Sequence, residues 1–136
     1  MMACLDTTLL VDLLGRSSER KHRAVGKIRE LAERGEELAT TRFNLAELYV
    51  GVARSQHPDE EENAIRICLS EIAVLDFDDA SARLFGSITG YLQRIGKPAG
   101  DMDVLIAATA MSHGHSLITL NPRHFKHIPS LMVEEY

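Results

Sequence analysis

Tryptophan is absent from this 136-residue chain, and aromatic residues make up only 5% of it. That is too little for a surface that grips single-stranded nucleic acid by stacking bases on rings. Cysteine is nearly absent as well. Cys4 and Cys68 lie in apolar stretches with no metal-ligand spacing between them. This excludes a disulfide scaffold and predicts reduced thiols packed in a core. Positive charge is in deficit, the formal net charge being −5. A general DNA-coating protein is thereby excluded, whereas an enzyme whose acids hold a cation is not. Long apolar runs are missing too. Residues 104–120 carry no Asp, Glu, Lys or Arg, but His113, Gly114 and His115 break them with a turn, so they do not read as a membrane span. The two histidines read as turn residues rather than metal ligands. The N-terminus shows neither the charged segment nor the cleavage site of a secretory signal. The expected location is the cytoplasm, away from any membrane.

What is present fits one domain over residues 1–136. Short apolar strands are predicted at 3–5, 37–41, 72–75 and 116–119, with a fifth at an edge over 131–133. Between them the apolar spacing predicts helices starting at Thr7 and covering 19–34, 43–53, a stretch opened by the acids 59–62, 78–95 and 101–112. Strands alternating with helices predict an α/β fold: a three-layer α/β/α sandwich around a central, mostly parallel sheet of four to five short strands.

Three carboxylates fall where such a fold would gather them. Asp6 ends the first strand. Glu47 lies in the apolar run after the second, and Asp103 in the first turn of the helix before the fourth. Open parallel sheets bind ligands beyond the carboxyl ends of their strands. Carboxylates about 4 Å apart repel by about 4 kcal/mol at an effective dielectric of 20, so a fold that keeps them together needs a cation. Oxygen donors suit Mg²⁺, with Mn²⁺ as substitute, and such an ion activates water for attack on a phosphodiester. Taken singly, Asp6 and Asp101 also read as helix caps. The basic residues Arg16, Arg20, Lys21, Arg23 and Lys27 form a cluster that would meet phosphates or simply face solvent. Arg16 and Arg123 are the candidates for RNA phosphate contacts.

At these residues the chain resembles the PIN-domain family, and within it the VapC-type toxins. Leu5-Asp6-Thr7-Thr8-Leu9-Leu10 resembles the opening motif, with Thr8 where Asn is frequent. Leu45-Ala46-Glu47-Leu48-Tyr49-Val50-Gly51 resembles the second motif, and the stretch from Gly100 through Asp101, Asp103, Ile106, Ala107 and Ala108 to Ala110 the third. Ile118-Thr119-Leu120-Asn121-Pro122-Arg123-His124-Phe125 resembles the closing one. The motifs stand in order along essentially the whole chain. The resemblance implies a PIN fold, a Mg²⁺-dependent endoribonuclease, a homodimer, and inhibition by a cognate VapB-type antitoxin in a toxin–antitoxin pair. It assigns catalysis to Asp6, Glu47 and Asp103, with the metal on Asp6 and Asp103. It makes Thr7, Thr41, Asp101 and Asn121 candidates for indirect or water-mediated support. Relatives often carry a fourth acid where this chain has Asn121 or His124. Neither is acidic here, which favours one well-held ion. The alternative reading is a catalytically weak PIN-like module that binds RNA or a partner.

Overall fold

The computed structural model describes residues 2–136. The chain runs β1 (Met2–Leu5), α1 (Thr7–Leu14), α2 (Glu19–Glu33), β2 (Glu37–Thr41), α3 (Arg42–Ala53), α4 (Pro58–Cys68), β3 (Ala73–Leu75), α5 (Asp79–Arg94), α6 (Asp101–Ser112), β4 (Ser116–Thr119) and β5 (Val133–Glu135). Short 3₁₀ turns cover Leu69–Glu71 and Pro122–Phe125. The five strands form one sheet in the order β3-β2-β1-β4-β5. Every pairing is parallel, so the sheet is more uniform than the mostly parallel one expected. The edge strand lies at Val133–Glu135 rather than 131–133. Its register is set by Leu117 pairing with Val133 and Thr119 with Glu135, and Leu131 packs instead against the cluster around Phe125.

Alternation along the strands divides the core between two faces. Ala3 and Leu5 of β1 and Ile118 of β4 face Leu9, Leu10, Ala24, Leu31 and Ile65. Cys4 and Leu117 face the other way, toward Ile88, Leu92 and the run Val104–Ala110. This is the period of two expected of a strand buried on both sides, and it produces the three layers. Cys4 is fully buried, which pushes its thiol pKa up, and neither cysteine is bonded to the other. Gly35 and Gly114 both take positive φ, 73° and 76°, to end α2 and α6 before the strands that follow. No helix is long and apolar enough to cross a membrane among the described residues.

Topology decides where a site belongs. The chain leaves β1 for β2 and β3 on one side, then returns to build β4 and β5 on the other. β1 therefore lies at the switch point, where the crevice beyond the strand ends is open. Cys4 pairs with Ala39, and Leu5 with Ile118. Continuing that register sets Asp6 between Thr41 and Thr119.

In the basic stretch after α1, Arg16, Arg20 and Arg23 are exposed, as a solvated face would be, whereas Lys27 is buried. Lys27 is only 7% exposed; its Nζ donates to Glu134 Oε1 on β5 at 2.7 Å and lies 3.4 Å from Glu30. Arg34 also donates to Glu134. Arg20 pairs with buried Asp12, which accepts from the Tyr136 hydroxyl at 2.8 Å, and Lys21 caps the carbonyl of Gly15. The bonds from Lys27, then Arg34, hold the Glu134 carboxyl below its ordinary value of 4.5. A lowered acid contributes stability above its unfolded pKa and loses it as pH falls through the folded one. Urea unfolding at pH 7 should show Glu134→Gln less stable by about 1–3 kcal/mol, because the amide oxygen still accepts from Lys27 but the negative charge facing Lys27 and Arg34 is gone. As pH falls below 4.5 the difference should shrink, and it should vanish once pH lies below the folded pKa.

Candidate functional site

The crevice at the switch point is built from the ends of three neighbouring strands and the first turns of the helices beside them. Asp6 follows β1 and is 7% exposed. Its backbone N–H donates to the Ile118 carbonyl at 2.9 Å, and its carbonyl accepts the first bonds of α1 from Leu9 and Leu10. It occupies the cap position of α1, yet its side chain makes no cap bond. The carboxylate turns into the crevice instead, where Asn44 Nδ2 donates to Oδ1 at 3.0 Å and Thr119 Oγ1 donates to Oδ2 at 2.7 Å.

Asn44 organises the pocket. It is fully buried on α3, one turn before Glu47. Its side-chain carbonyl accepts from the Thr41 N–H at 3.2 Å and from the Thr41 hydroxyl at 2.7 Å, and the Thr41 hydroxyl accepts from the Asn44 N–H. That reciprocal arrangement is a capping box, and it starts α3 directly at the end of β2. With its carbonyl so engaged, the amide group aims at Asp6 and at Thr7 Oγ1, 2.9 Å away. Thr7 in turn donates to Glu47 Oε1 at 2.6 Å. An unbroken chain of hydrogen bonds thus joins Thr41, Asn44, Thr7 and Glu47, with a branch to Asp6 and Thr119.

Asp103 approaches from α6 on the other side. It is half-buried, and burial raises its pKa; nearby His124 acts against that, and the charge of Asp6 adds to it. His124 Nδ1 lies 3.8 Å from Asp103 Oδ2. No lysine or arginine pairs with Asp6, Glu47 or Asp103 among the described residues. Three such side chains do not close around one point, however. Among the described residues no group of three His, Cys, Asp or Glu side chains is gathered tightly enough to hold a metal ion. The oxygen-only donors and the lack of a cationic partner fit a hard divalent ion shared by Asp6 and Asp103 with waters completing its shell. They do not fit one enclosed by all three acids.

The remaining expected residues divide. Thr7 and Thr41 lie in the network just described. Asn121 touches it only through its backbone N–H, which donates to Thr119 Oγ1 at 3.1 Å. Asp101 is exposed at the first position of α6, the cap itself being Gly100, and it lines a separate small hollow with Thr89 and Gln93. Arg16 is exposed in the loop after α1 and makes no hydrogen bond or ion pair with the acids. Arg123 lines a cleft with Asp103. His113 and His115 are occupied with the carbonyls of Asp76 and His113, far from any ligand cluster. Asn44 and Thr119 escape a reading that follows carboxylates. The available signal was Asn44 in an apolar run three residues before Glu47, the spacing of one helical face.

A PIN-domain family model matches residues 3–131. The chain is 28% identical over 136 residues to the ribonuclease VapC2 of Rickettsia felis, covering 100% of this chain and 98% of that one. It is 38% identical over 92 residues to the tRNA(fMet)-specific endonuclease VapC of Shigella flexneri, covering 68% of this chain and 70% of that one. Among solved structures it is similar to the VapBC2 complex of Rickettsia felis bound to a promoter DNA fragment. The TM-score is 0.89 at 28% identity, over 100% of this chain and 99% of that one.

Proposed function

We propose, from the premise that this chain belongs to the PIN-domain family, that it is a metal-dependent endoribonuclease and the toxin of a VapBC-type pair. The observation that carries the reading is the position of Asp6 and Asp103. Two carboxylates face one crevice at the switch point of a parallel sheet, neither paired with a lysine or arginine among the described residues, and the charge of Asp6 bears on Asp103. Asp6 and Asp103 would hold Mg²⁺, or Mn²⁺ in its place. When bound, that ion lowers the pKa of water and offsets charge developing on the phosphoryl oxygens. The hydrogen bonds from Asn44 and Thr119 fix the Asp6 carboxylate in one orientation before any ligand arrives. Glu47, its Oε1 held by Thr7, keeps Oε2 free to accept a proton from the attacking water. Water attacks phosphorus in line, the bond to the 3′ oxygen breaks, and the products are a 3′-hydroxyl and a 5′-phosphate.

A cognate VapB-type antitoxin is the proposed partner, with a homodimer in the cytoplasm as the working form. A cleft of about 260 Å³ between α1, α3 and α4 supports the partner. Val11, Leu14, Leu48 and Ile65 make it apolar, and Glu47 and Glu61 give it negative charge. An amphipathic antitoxin segment carrying a basic residue suits it and would reach Glu47. The open arrangement of the three acids favours a second reading, a module that grips RNA without efficient turnover. One experiment separates the two. Purified, partner-free protein should cut an RNA oligonucleotide only when Mg²⁺ or Mn²⁺ is added, leaving 5′-phosphate ends. Full cleavage in EDTA, or cyclic phosphate ends, overturns the metal-dependent reading; tight RNA binding with no cleavage at any metal concentration supports the second.

A further inference from the structure

Five arginines and lysines are paired with acids: Arg20 with Asp12, Lys27 and Arg34 with Glu134, Arg42 with Asp76, Arg83 with Asp79. Among those that make no such pair in the described residues, Lys97 and Arg123 lie together. A cleft of about 250 Å³ adjoins Asp103 and is lined by Lys97, Arg123, His124 and His127 around the backbone of residues 98–100. Among the described residues Lys97, Arg123 and His127 make no side-chain hydrogen bond or ion pair, so the charges of Lys97 and Arg123 and the ring nitrogens of His127 are unspent. Asp103 is the single acid in the lining.

Local structure holds these side chains where they are. Gly96 takes φ 66°, which lets the Lys97 N–H close back on the Leu92 carbonyl at 3.0 Å and presents Lys97 beside the start of α6. Arg123 and His127 flank Phe125, which is 2% exposed, and Ile128, at 5%, follows. The two apolar side chains pin the turn into the core and leave Arg123 and His127 outside.

We infer that this cleft is a sugar–phosphate subsite, and that Lys97, Arg123 and His127 grip a phosphodiester group of the RNA strand next to the one cleaved at Asp6 and Asp103. The inference rests on the ribonuclease reading above. The cleft is smaller than the roughly 300–1,000 Å³ of sites that bury whole drug-sized ligands, so it takes the backbone and leaves the base outside. Cations on a phosphate fix position and carry no sequence information. The subsite therefore sets where the strand lies, and not which bases are chosen.

The test uses the full chain and two fluorescein-labelled single-stranded RNAs of unrelated sequence. Binding is read by anisotropy in EDTA at several salt concentrations, and cleavage is read with Mg²⁺. Lys97→Ala/Arg123→Ala should raise Kd about tenfold or more for both RNAs, each cation donating a charge-assisted hydrogen bond. The slope of log Kd against log salt should fall by about 0.7 for the lost phosphate contact. KM should rise with kcat within about twofold, the pattern of lost uniform binding. Arg29→Ala, exposed on α2, should change none of these. Unchanged Kd and KM, or a loss confined to one RNA sequence, overturns the subsite while leaving the nuclease intact. RNA that is held through Lys97 and Arg123 but never cut overturns the nuclease and leaves the subsite standing.

Discussion

Asp6→Asn should lower the cleavage rate at least about a thousandfold, since a metal-held charge contributes several kcal/mol at the transition state and each 1.36 kcal/mol is a decade. Folding should survive. The substitution is isosteric, and Thr119 still finds a carbonyl oxygen to donate to. Asn44 Nδ2 then meets an amide NH₂ in place of Oδ1, and one buried hydrogen bond is lost at a cost of about 1–3 kcal/mol. Removing the charge of Asp6 also relieves Asp103, whose pKa it helps to raise. Turnover in Mg²⁺ and a urea melt of the same sample separate the two effects. Near wild-type turnover in the mutant would show that Asp6 is not where the chemistry happens.

Asn44→Ala should cost about 3–4 kcal/mol of stability and about a hundredfold in rate, because it strips partners from several buried groups at once. The N–H and hydroxyl of Thr41 lose their acceptor, so α3 loses half its capping box. Asp6 Oδ1 loses its donor, and so does Thr7. Asn44→Asp separates structure from catalysis. A carboxylate still accepts from Thr41 and preserves the cap, but it has no proton for Asp6 and sets a second negative charge against an oxygen now 3.0 Å away. At pH 7 that variant should melt below wild type, because it buries a like-charge pair, and it should remain nearly inactive although the cap is kept. An Asn44→Asp enzyme with undiminished kcat would show that the donor to Asp6 is dispensable.

Local signals carried far in this chain, and they stop at identifiable places. Alternation in Ala3-Cys4-Leu5 and in Ser116-Leu117-Ile118-Thr119, set against helical spacing in between, is enough for a parallel α/β sandwich. Asp6 and Asp103 stand out as acids at element ends and Glu47 as an acid in an apolar run, places where a charge is costly unless used. Thr119 does not stand out, because its meaning depends on β4 lying beside β1, 113 residues away along the chain. Lys27 reads as one more basic residue on a polar helix until Glu134, 107 residues on, is brought against it. Gly100 takes the cap that Asp101 was expected to fill, since the turn before α6 enters extended, with φ −62° and ψ 142° at Gly100. For Thr119 and Lys27 the missing information was a pairing between distant segments, which periodicity does not contain.

The central placement of β1 has a consequence for the protein while it is being made. Within this chain β1 is made long before β4, its second neighbour in the sheet. Until Thr119 has emerged, Asp6 lacks one of its two donors and the crevice has no wall on that side. The pocket around Asp6 is thus incomplete through most of the synthesis of this sheet, and it closes only when β4 docks beside β1.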